Sequence, residues 1–174
     1  MSRKSLAVLL FIVSLTGSIA SLFASQTVMP SSFDDLVRFC TTVAVVDVAD
    51  ARIVERTGAA GPIKFVEVRA TVVRSIKGSL LPARSITFLD PLSEFSPDDP
   101  LEIFVAKSRC LVSLNWNSTL GEAILVGHEV TFHIKNDRVQ PIGRSAFARS
   151  QADRSIDAFE RDLRTAEARE RRVR

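Results

Sequence analysis

The chain has 174 residues, a formal net charge of +3 and a sequence pI of about 9.2. The basic excess lies at the two ends of the chain and the body is slightly acidic, which argues against a nucleic-acid-binding face. Eleven Phe, one Trp and no Tyr indicate aromatic side chains used for a core, because binding surfaces favour Tyr and Trp. Seven scattered Gly supply no phosphate-binding loop or dinucleotide fingerprint.

Residues 1–24 have the layout of a secretory signal peptide: a short basic start, an apolar run and small residues before a cleavage site. We expect cleavage after Ala20 or Ala24, which places the mature chain in the periplasm or outside the cell. The alternative is a retained anchor, because residues 6–24 are just long enough to span a bilayer.

The first elements of the mature chain follow from local patterns. Residues 31–40 are predicted to form a short helix with Ser32 as its N-cap. Residues 41–56 are β-branched on both faces and predict a bent strand, which the Gly- and Pro-rich turn at residues 57–62 ends. Lys64 begins the next strand.

This second strand alternates strictly, with Val66, Val68, Ala70 and Val72 facing one way. The alternation slips near Val73, which predicts a β-bulge at a sheet corner. Lys77 is expected to be solvated beside the glycine that ends the strand at Gly78.

Three further strand regions are predicted at residues 83–90, 108–116 and 123–143, the last containing one strand or two that end in a hairpin. Asn136 and Asp137 supply the hairpin turn. The tail is predicted to be a charged helix in which Ile156, Phe159 and Leu163 form a narrow apolar stripe. Its last ten residues are expected to be solvated or frayed.

About five strands without intervening helices predict a mainly β chain, namely a five-stranded antiparallel Greek-key barrel or sandwich of the oligonucleotide/oligosaccharide-binding (OB) type. We assign residues 27–143 to this domain and residues 144–174 to the C-terminal charged helix. In that topology the first strand lies beside the fourth. A disulfide between Cys40 and Cys110 is therefore expected in an exported chain, with two buried free thiols as the alternative.

Four segments carry a resemblance: "LVRFCTTVAVVDVADARIV", "FVEVRATVVRSIKG", "SITFLD" and "RCLVSLN". Across residues 33–143 they resemble an exported bacterial small β-barrel domain, which is similar to the barrel of tissue inhibitors of metalloproteinases. Those inhibitors use an N-terminal Cys to reach a catalytic zinc, and the mature chain has none near its start. The resemblance implies the fold, and it carries over no inhibitory activity and no functional residue.

Candidate site residues are few. His128 and His133 lie five apart on a predicted strand and face opposite sides, so we expect independent histidines and no metal, cofactor or catalytic centre. The loop at residues 90–102 offers acids for a binding surface, Glu94, Asp98 and Asp99 among them, although their spacing is not that of an EF-hand.

Trp116 stands at a strand end, either as core packing at the barrel mouth or as a platform for a ligand. Asn117 begins a glycosylation sequon, which matters only in a eukaryotic secretory pathway.

The expected function is an exported, non-enzymatic binding or interaction module for a protein or cell-envelope ligand, monomeric and without nucleic acid. Membrane attachment is expected only if the signal segment is retained. One alternative is a hydrolase or metal-dependent enzyme with an atypical site, which needs His128 or His133 in a pocket beside carboxylates. The other is an oligonucleotide-binding small barrel.

Overall fold

The structure is a computed structural model that describes residues 30–58, 61–92, 100–118 and 120–173. The predicted signal segment at residues 1–24 lies outside these ranges. The elements in chain order are α1 (Phe33–Phe39), β1 (Thr42–Gly58), β2 (Gly61–Lys77), β3 (Ser85–Pro91), a 3₁₀ helix (Pro100–Phe104), β4 (Arg109–Asn117), β5 (Glu122–Leu125), a second 3₁₀ helix (His128–Val130), β6 (Phe132–Lys135), β7 (Arg138–Pro141), α2 (Ala146–Ser150) and α3 (Ile156–Val173).

The described strands form one seven-stranded sheet in the order β1-β2-β3-β5-β4-β6-β7, and β1 also pairs with β4. The pairings of β1, β2, β3, β5 and β4 therefore form a closed circuit. The prediction of a mainly β chain with a short N-terminal helix and a C-terminal helix is confirmed. The predicted count of five strands is wrong, because a 3₁₀ turn at His128 separates β5 from β6 and a hairpin adds β7. One pairing, β3 with β5, is parallel.

The long β1–β2 hairpin bends at bulges. Val45 pairs with Arg74 and Val46 with Val72, so Val73 is the extra residue and the predicted slip is confirmed. A second irregularity leaves Ala49 unmatched on β1. Such bulges increase the local twist and bend of a strand, which allows one half of β1 to pair with β4 while the other half extends beyond it.

The alternating apolar faces of β1 serve two cores. Val43 and Val45 pack with the helices in one cluster, whereas Ala44 and Val46 pack in a second cluster with the inward face of β2. A strand that is apolar on both faces is buried on both faces. The β-branched run at the start of β1 therefore reflects its position between two layers.

The C-terminal helix α3 packs against the sheet along its whole predicted stripe. Ile156, Phe159 and Leu163 are buried, and Ala166 continues the stripe by one turn. Ion pairs between α1 and α3 join Arg38 to Glu170 and Arg169 to Asp34. The end of α3 was expected to be solvated or frayed: it is helical as far as Val173, and apart from the buried Ala166 its described residues from Thr165 onward are exposed or partly exposed, as a solvated helix requires.

Lys77 is half-buried, which corrects the expectation that it is solvated. Its ammonium donates hydrogen bonds to the carbonyl oxygens of Val37, at 2.5 Å, and Cys40. These are carbonyls at the C-terminal end of α1, where a cation is favourable. Gly78 follows with φ of 89°, as a corner glycine is expected to do.

The predicted disulfide is wrong: Cys40 and Cys110 are both free and buried. β1 does lie beside β4, but Val46, not Cys40, is the residue opposite Cys110. Cys40 lies six positions further back along the chain, about 20 Å at roughly 3.3 Å per residue. A disulfide needs Cα atoms about 4.4–6.8 Å apart, so the register of these two strands keeps the thiols apart.

None of the helices in the described ranges has the length and apolarity required to cross a bilayer.

Candidate functional site

A cleft of about 860 Å³ lies where the middle of β1, the start of β4 and the β6–β7 turn meet. Its described lining is mostly polar. Three of the lining residues are apolar, namely Val48, Ala49 and Ile134, and the polar residues are Asp47, Thr71, Lys107, Ser108, Arg109, His133, Lys135, Asn136 and Asp137. A concave site with a few polar groups over an apolar base is the usual form of a ligand pocket.

Backbone geometry fixes the rim of the cleft. The Val48 amide donates to the Ser108 carbonyl at 2.9 Å, and the Lys107 amide donates to the Val48 carbonyl at 2.8 Å. Lys107 has a φ of 69°, a left-handed conformation that turns the chain sharply before β4 begins. On the opposite rim, Asn136 and Asp137 both have positive φ, as a two-residue type I′ hairpin turn requires.

One wall is a fixed ion pair. Asp47 and Arg109 are opposite residues of β1 and β4. The guanidinium donates two hydrogen bonds to the carboxylate, from Nε to Oδ1 at 2.7 Å and from Nη2 to Oδ2 at 3.0 Å. These bonds hold the pKa of Asp47 below its ordinary value, because they favour the charged form. The pair is electrically neutral and orients polar atoms along the wall.

His133 links the cleft to the core. Its Nδ1 lies 3.7 Å from the Sγ of Cys110, and the Ser108 Oγ lies 3.8 Å from the same sulfur. Burial raises the pKa of the Cys110 thiol to about 11 and lowers the pKa of His133. At neutral pH the thiol keeps its proton and the imidazole is neutral, so the cluster contains no thiolate nucleophile.

Two of the three cations of the cleft have no partner among the described residues. The ammonium groups of Lys107 and Lys135 form no ion pair or hydrogen bond with any other residue that the structure describes. With Arg109 they give three cations against the carboxylates of Asp47 and Asp137, so the described lining carries one net positive charge when His133 is neutral. The cleft is therefore suited to a ligand that presents an anionic group.

His128 lies in the second 3₁₀ helix and is not among the residues that line the cleft. Its Nε2 is 2.7 Å from the Oδ2 of Asp90, a carboxylate that is almost fully buried at the end of β3. The hydrogen bond to this carboxylate raises the pKa of His128. The two histidines thus occupy separate environments, and both are partly buried.

The other predicted site residues do not converge on the cleft. Trp116 is 63% exposed, which removes the alternative that it is core packing. It lies seven residues along β4 from Arg109, about 23 Å at roughly 3.3 Å per residue. Glu94, Asp98 and Asp99 lie outside the described residues. Asn117 uses its side-chain oxygen to accept a hydrogen bond from the Leu120 amide in the β4–β5 turn.

Sequence reasoning did not find the lysines of the cleft or its Asp47–Arg109 pair. A signal for the pair exists: Asp47 interrupts the apolar run of residues 43–48, and Arg109 directly precedes the apolar residues 110–112. Pairing them required the register of β1 against β4, which no local pattern contains.

No family model matches the chain, and no curated protein matches it significantly. Within the described ranges, no group of three or more His, Cys, Asp or Glu side chains is arranged to hold a metal ion.

Proposed function

We propose that the chain is a non-enzymatic binding module built on an OB-type Greek-key barrel and that its cleft binds a ligand bearing a carboxylate or phosphate group. The barrel is supported by the closed circuit of five strands. Cross-strand partners trace one turn of the circuit through Ala51, Val68, Phe88, Ala123 and Trp116.

Extending the β1–β4 register by two residues places Trp116 level with Cys40. The circuit therefore starts at Ala51 and returns to the level of Cys40, further back along the same chain. Leaving out the bulged residue Ala49, this is a stagger of about ten residues. A stagger of this kind is what strand tilt requires when a small sheet closes on itself.

The observation that carries the binding proposal is that the ammonium groups of Lys107 and Lys135 have no partner among the residues that the structure describes. They lie at a cleft whose remaining arginine is already neutralised by Asp47. A ligand anion would be attracted by both lysines, and the bidentate Arg109 pair would keep its geometry. Ala49, which is exposed, and Ile134, which is partly exposed, are apolar lining residues that would contact the non-polar part of the same ligand.

Inorganic phosphate is a suitable first probe, with the ring C–H signals of the two histidines as reporters in an NMR titration. We expect a saturable shift of the His133 signal and none of the His128 signal. Lys107→Glu and Lys135→Glu should each weaken binding several-fold. Lys64→Glu, the same charge reversal at an exposed position of β2, is the matched control and should bind phosphate as the wild type does.

The single Trp gives an independent check. Trp116 lies far from the cleft, so its fluorescence should not respond to phosphate. If the shift of His133 does not saturate, or if Lys64→Glu weakens binding as much as Lys135→Glu, the attraction is a general charge effect and the proposed site is wrong.

A second surface is favoured by the exposed indole of Trp116. It stands at the end of β4, beside the turn to β5, and in OB folds the loop between strands 4 and 5 contributes to ligand binding. We propose that this surface contacts a cell-envelope ligand or a protein, together with the acidic loop that contains Glu94, Asp98 and Asp99. Trp116→Ala should abolish capture of such a partner without a loss of stability, since the side chain is largely exposed.

The alternatives have less support. An oligonucleotide would need free cations on the outer face of the β1–β2 hairpin. There, Arg52 and Arg56 are bound to the carboxylate of Glu67, and Arg69 is bound to Asp50. A hydrolase would need an activated nucleophile beside His133, and the nearest candidate is the protonated thiol of Cys110. The export of the module is proposed from the pattern of residues 1–24 alone.

A further inference from the structure

The outer edge of β1 is open beyond Val48. β1 pairs with β2 along nearly its whole length, but it pairs with β4 only from Thr42 to Asp47, and the last bonds on that side join Val48 to Ser108 and Lys107. From Asp50 onward this edge has no partner strand among the described residues. Unpaired N–H and C=O groups along a strand edge are a template for another strand.

The side chains along this edge combine an exposed apolar residue with charges of both signs. Ile53, in its centre, is 52% exposed. Charges of both signs flank it: Asp50 and Glu55 are acidic, and Arg52 and Arg56 are basic. Charged side chains on an edge usually oppose association, but charges of both signs can be placed opposite one another in a suitable register, where they stabilise strand pairing.

We propose that two copies of this chain pair antiparallel through the open edge of β1, with Ile53 on the two-fold axis. This goes beyond the proposed binding function and does not depend on it. The sheet would then continue from one protomer into its partner. A two-fold arrangement uses the same patch on both copies, so the patch must complement itself.

Most registers fail this requirement. Opposite residues in an antiparallel pair have the same hydrogen-bonding orientation, so the axis must pass through a residue. An axis at Arg52 or Glu55 places like charges opposite each other, and an axis at Val54 places Arg52 opposite Arg56. With an axis at Ala51, the two copies could pair only through residues 50–52, because the edge next to them is already bonded at Val48 to Lys107 and Ser108.

The register centred on Ile53 avoids every like-charge pair. Asp50 of one copy lies opposite Arg56 of the other, twice by symmetry, and the two Ile53 side chains face each other at the centre. Opposite charges and apolar pairs directly across strands both stabilise a sheet. Asp50 and Arg56 remain partly exposed beside their internal partners Arg69 and Glu122, so the new contacts extend existing ion-pair clusters.

The first test measures mass against concentration by sedimentation or light scattering of the purified full chain. We expect a monomer–dimer equilibrium in the wild type and a dimer weakened by at least about tenfold in Ile53→Lys, which places two ammonium groups at the axis. Val173→Lys makes a similar change at an apolar residue that is 84% exposed at the end of α3, and it should leave the equilibrium unchanged. A wild type that stays monomeric into the high micromolar range, or a dimer that Ile53→Lys does not weaken, would overturn the proposal.

The second test identifies the register. Asp50→Arg and Arg56→Asp should each weaken the homodimer, because each places like charges opposite each other. An equimolar mixture of the two variants restores both ion pairs and should dimerise. Circular dichroism checks that each variant is folded, and a mixture of folded variants that stays monomeric contradicts this register.

A covalent test remains available if a charge variant fails to fold. Ile53→Cys places two thiols opposite each other at the axis, within reach of a disulfide. Mild oxidation should give a covalent dimer with Ile53→Cys and none with Val173→Cys. Cys40 and Cys110 are buried and do not compete. Equal crosslinking of the two variants would mean random collision and would overturn the proposed pairing.

Discussion

Replacement of Phe159 by Ala tests whether α3 is part of the folded core. Phe159 is fully buried between the sheet and α1. Its ring lies edge-on to Phe33, with centroids 5.0 Å apart, and to Phe132, with centroids 5.7 Å apart. Truncation of a buried Phe to Ala costs about 3–5 kcal/mol of unfolding free energy, through lost burial and the cavity that remains.

We expect a loss of about 4 kcal/mol, since two aromatic contacts disappear with the ring. Urea unfolding followed by circular dichroism measures it. With a slope of about 2 kcal/mol per molar urea for a domain of this size, the midpoint should fall by about 2 M. Phe39→Ala, the same change at a residue that is 36% exposed, is the control and should cost clearly less, because less apolar surface is lost and no enclosed cavity forms.

The reasoning is refuted if the two variants lose equal stability, or if Phe159→Ala unfolds in two separate transitions. Either result would mean that α3 docks weakly on the sheet and that the charged tail is an independent segment. A single transition at a lower urea concentration supports one cooperative unit.

Three further outcomes are expected. The Asp90 carboxylate raises the pKa of His128, so the pair stabilises the fold fully below the ordinary histidine pKa, and this stability is lost as pH rises through the raised value. The difference in unfolding free energy between the wild type and Asp90→Asn should therefore shrink from pH 5.5 to pH 8, on either side of the usual histidine titration range. A difference that grows with pH would contradict the pairing. Intact mass should be the same with and without reductant, and a gain of two hydrogen atoms on reduction would reveal a bridge. Burial raises the pKa of the Cys40 and Cys110 thiols to about 11, so both should react with iodoacetamide only after unfolding. Gly78→Ala should lower the unfolding midpoint, because a Cβ there would lie 2.9 Å from the Thr42 Oγ1 at a φ of 89°, and unchanged stability would show that this corner relaxes freely.

The open edge also alters an expectation about assembly. From the sequence, the chain was expected to be a monomer. The edge of β1 is visible only once β4 is seen to end its pairing near Asp47. Whether Ile53 lies at an interface therefore depends on where a neighbouring strand stops, and no residue of β1 encodes that position by itself.

Local patterns were sufficient for several elements. The alternation of Val66 to Val72 reported the buried face of β2, and the slip at Val73 reported its bulge. Ile156, Phe159 and Leu163 marked the buried stripe of α3. These predictions succeed because the period of apolar residues along a chain is set by the geometry of the element itself.

Only the tertiary structure decided which residues meet across strands. It placed Val46 rather than Cys40 opposite Cys110 and brought Asp47 to Arg109. It also grouped Lys107 and Lys135 with His133 around one cleft. Strand register is chosen by the summed packing of both faces and by bulges such as the one at Ala49. That sum involves residues far apart in the chain, so the sequence determined the faces of the elements and the folded sheet determined the site.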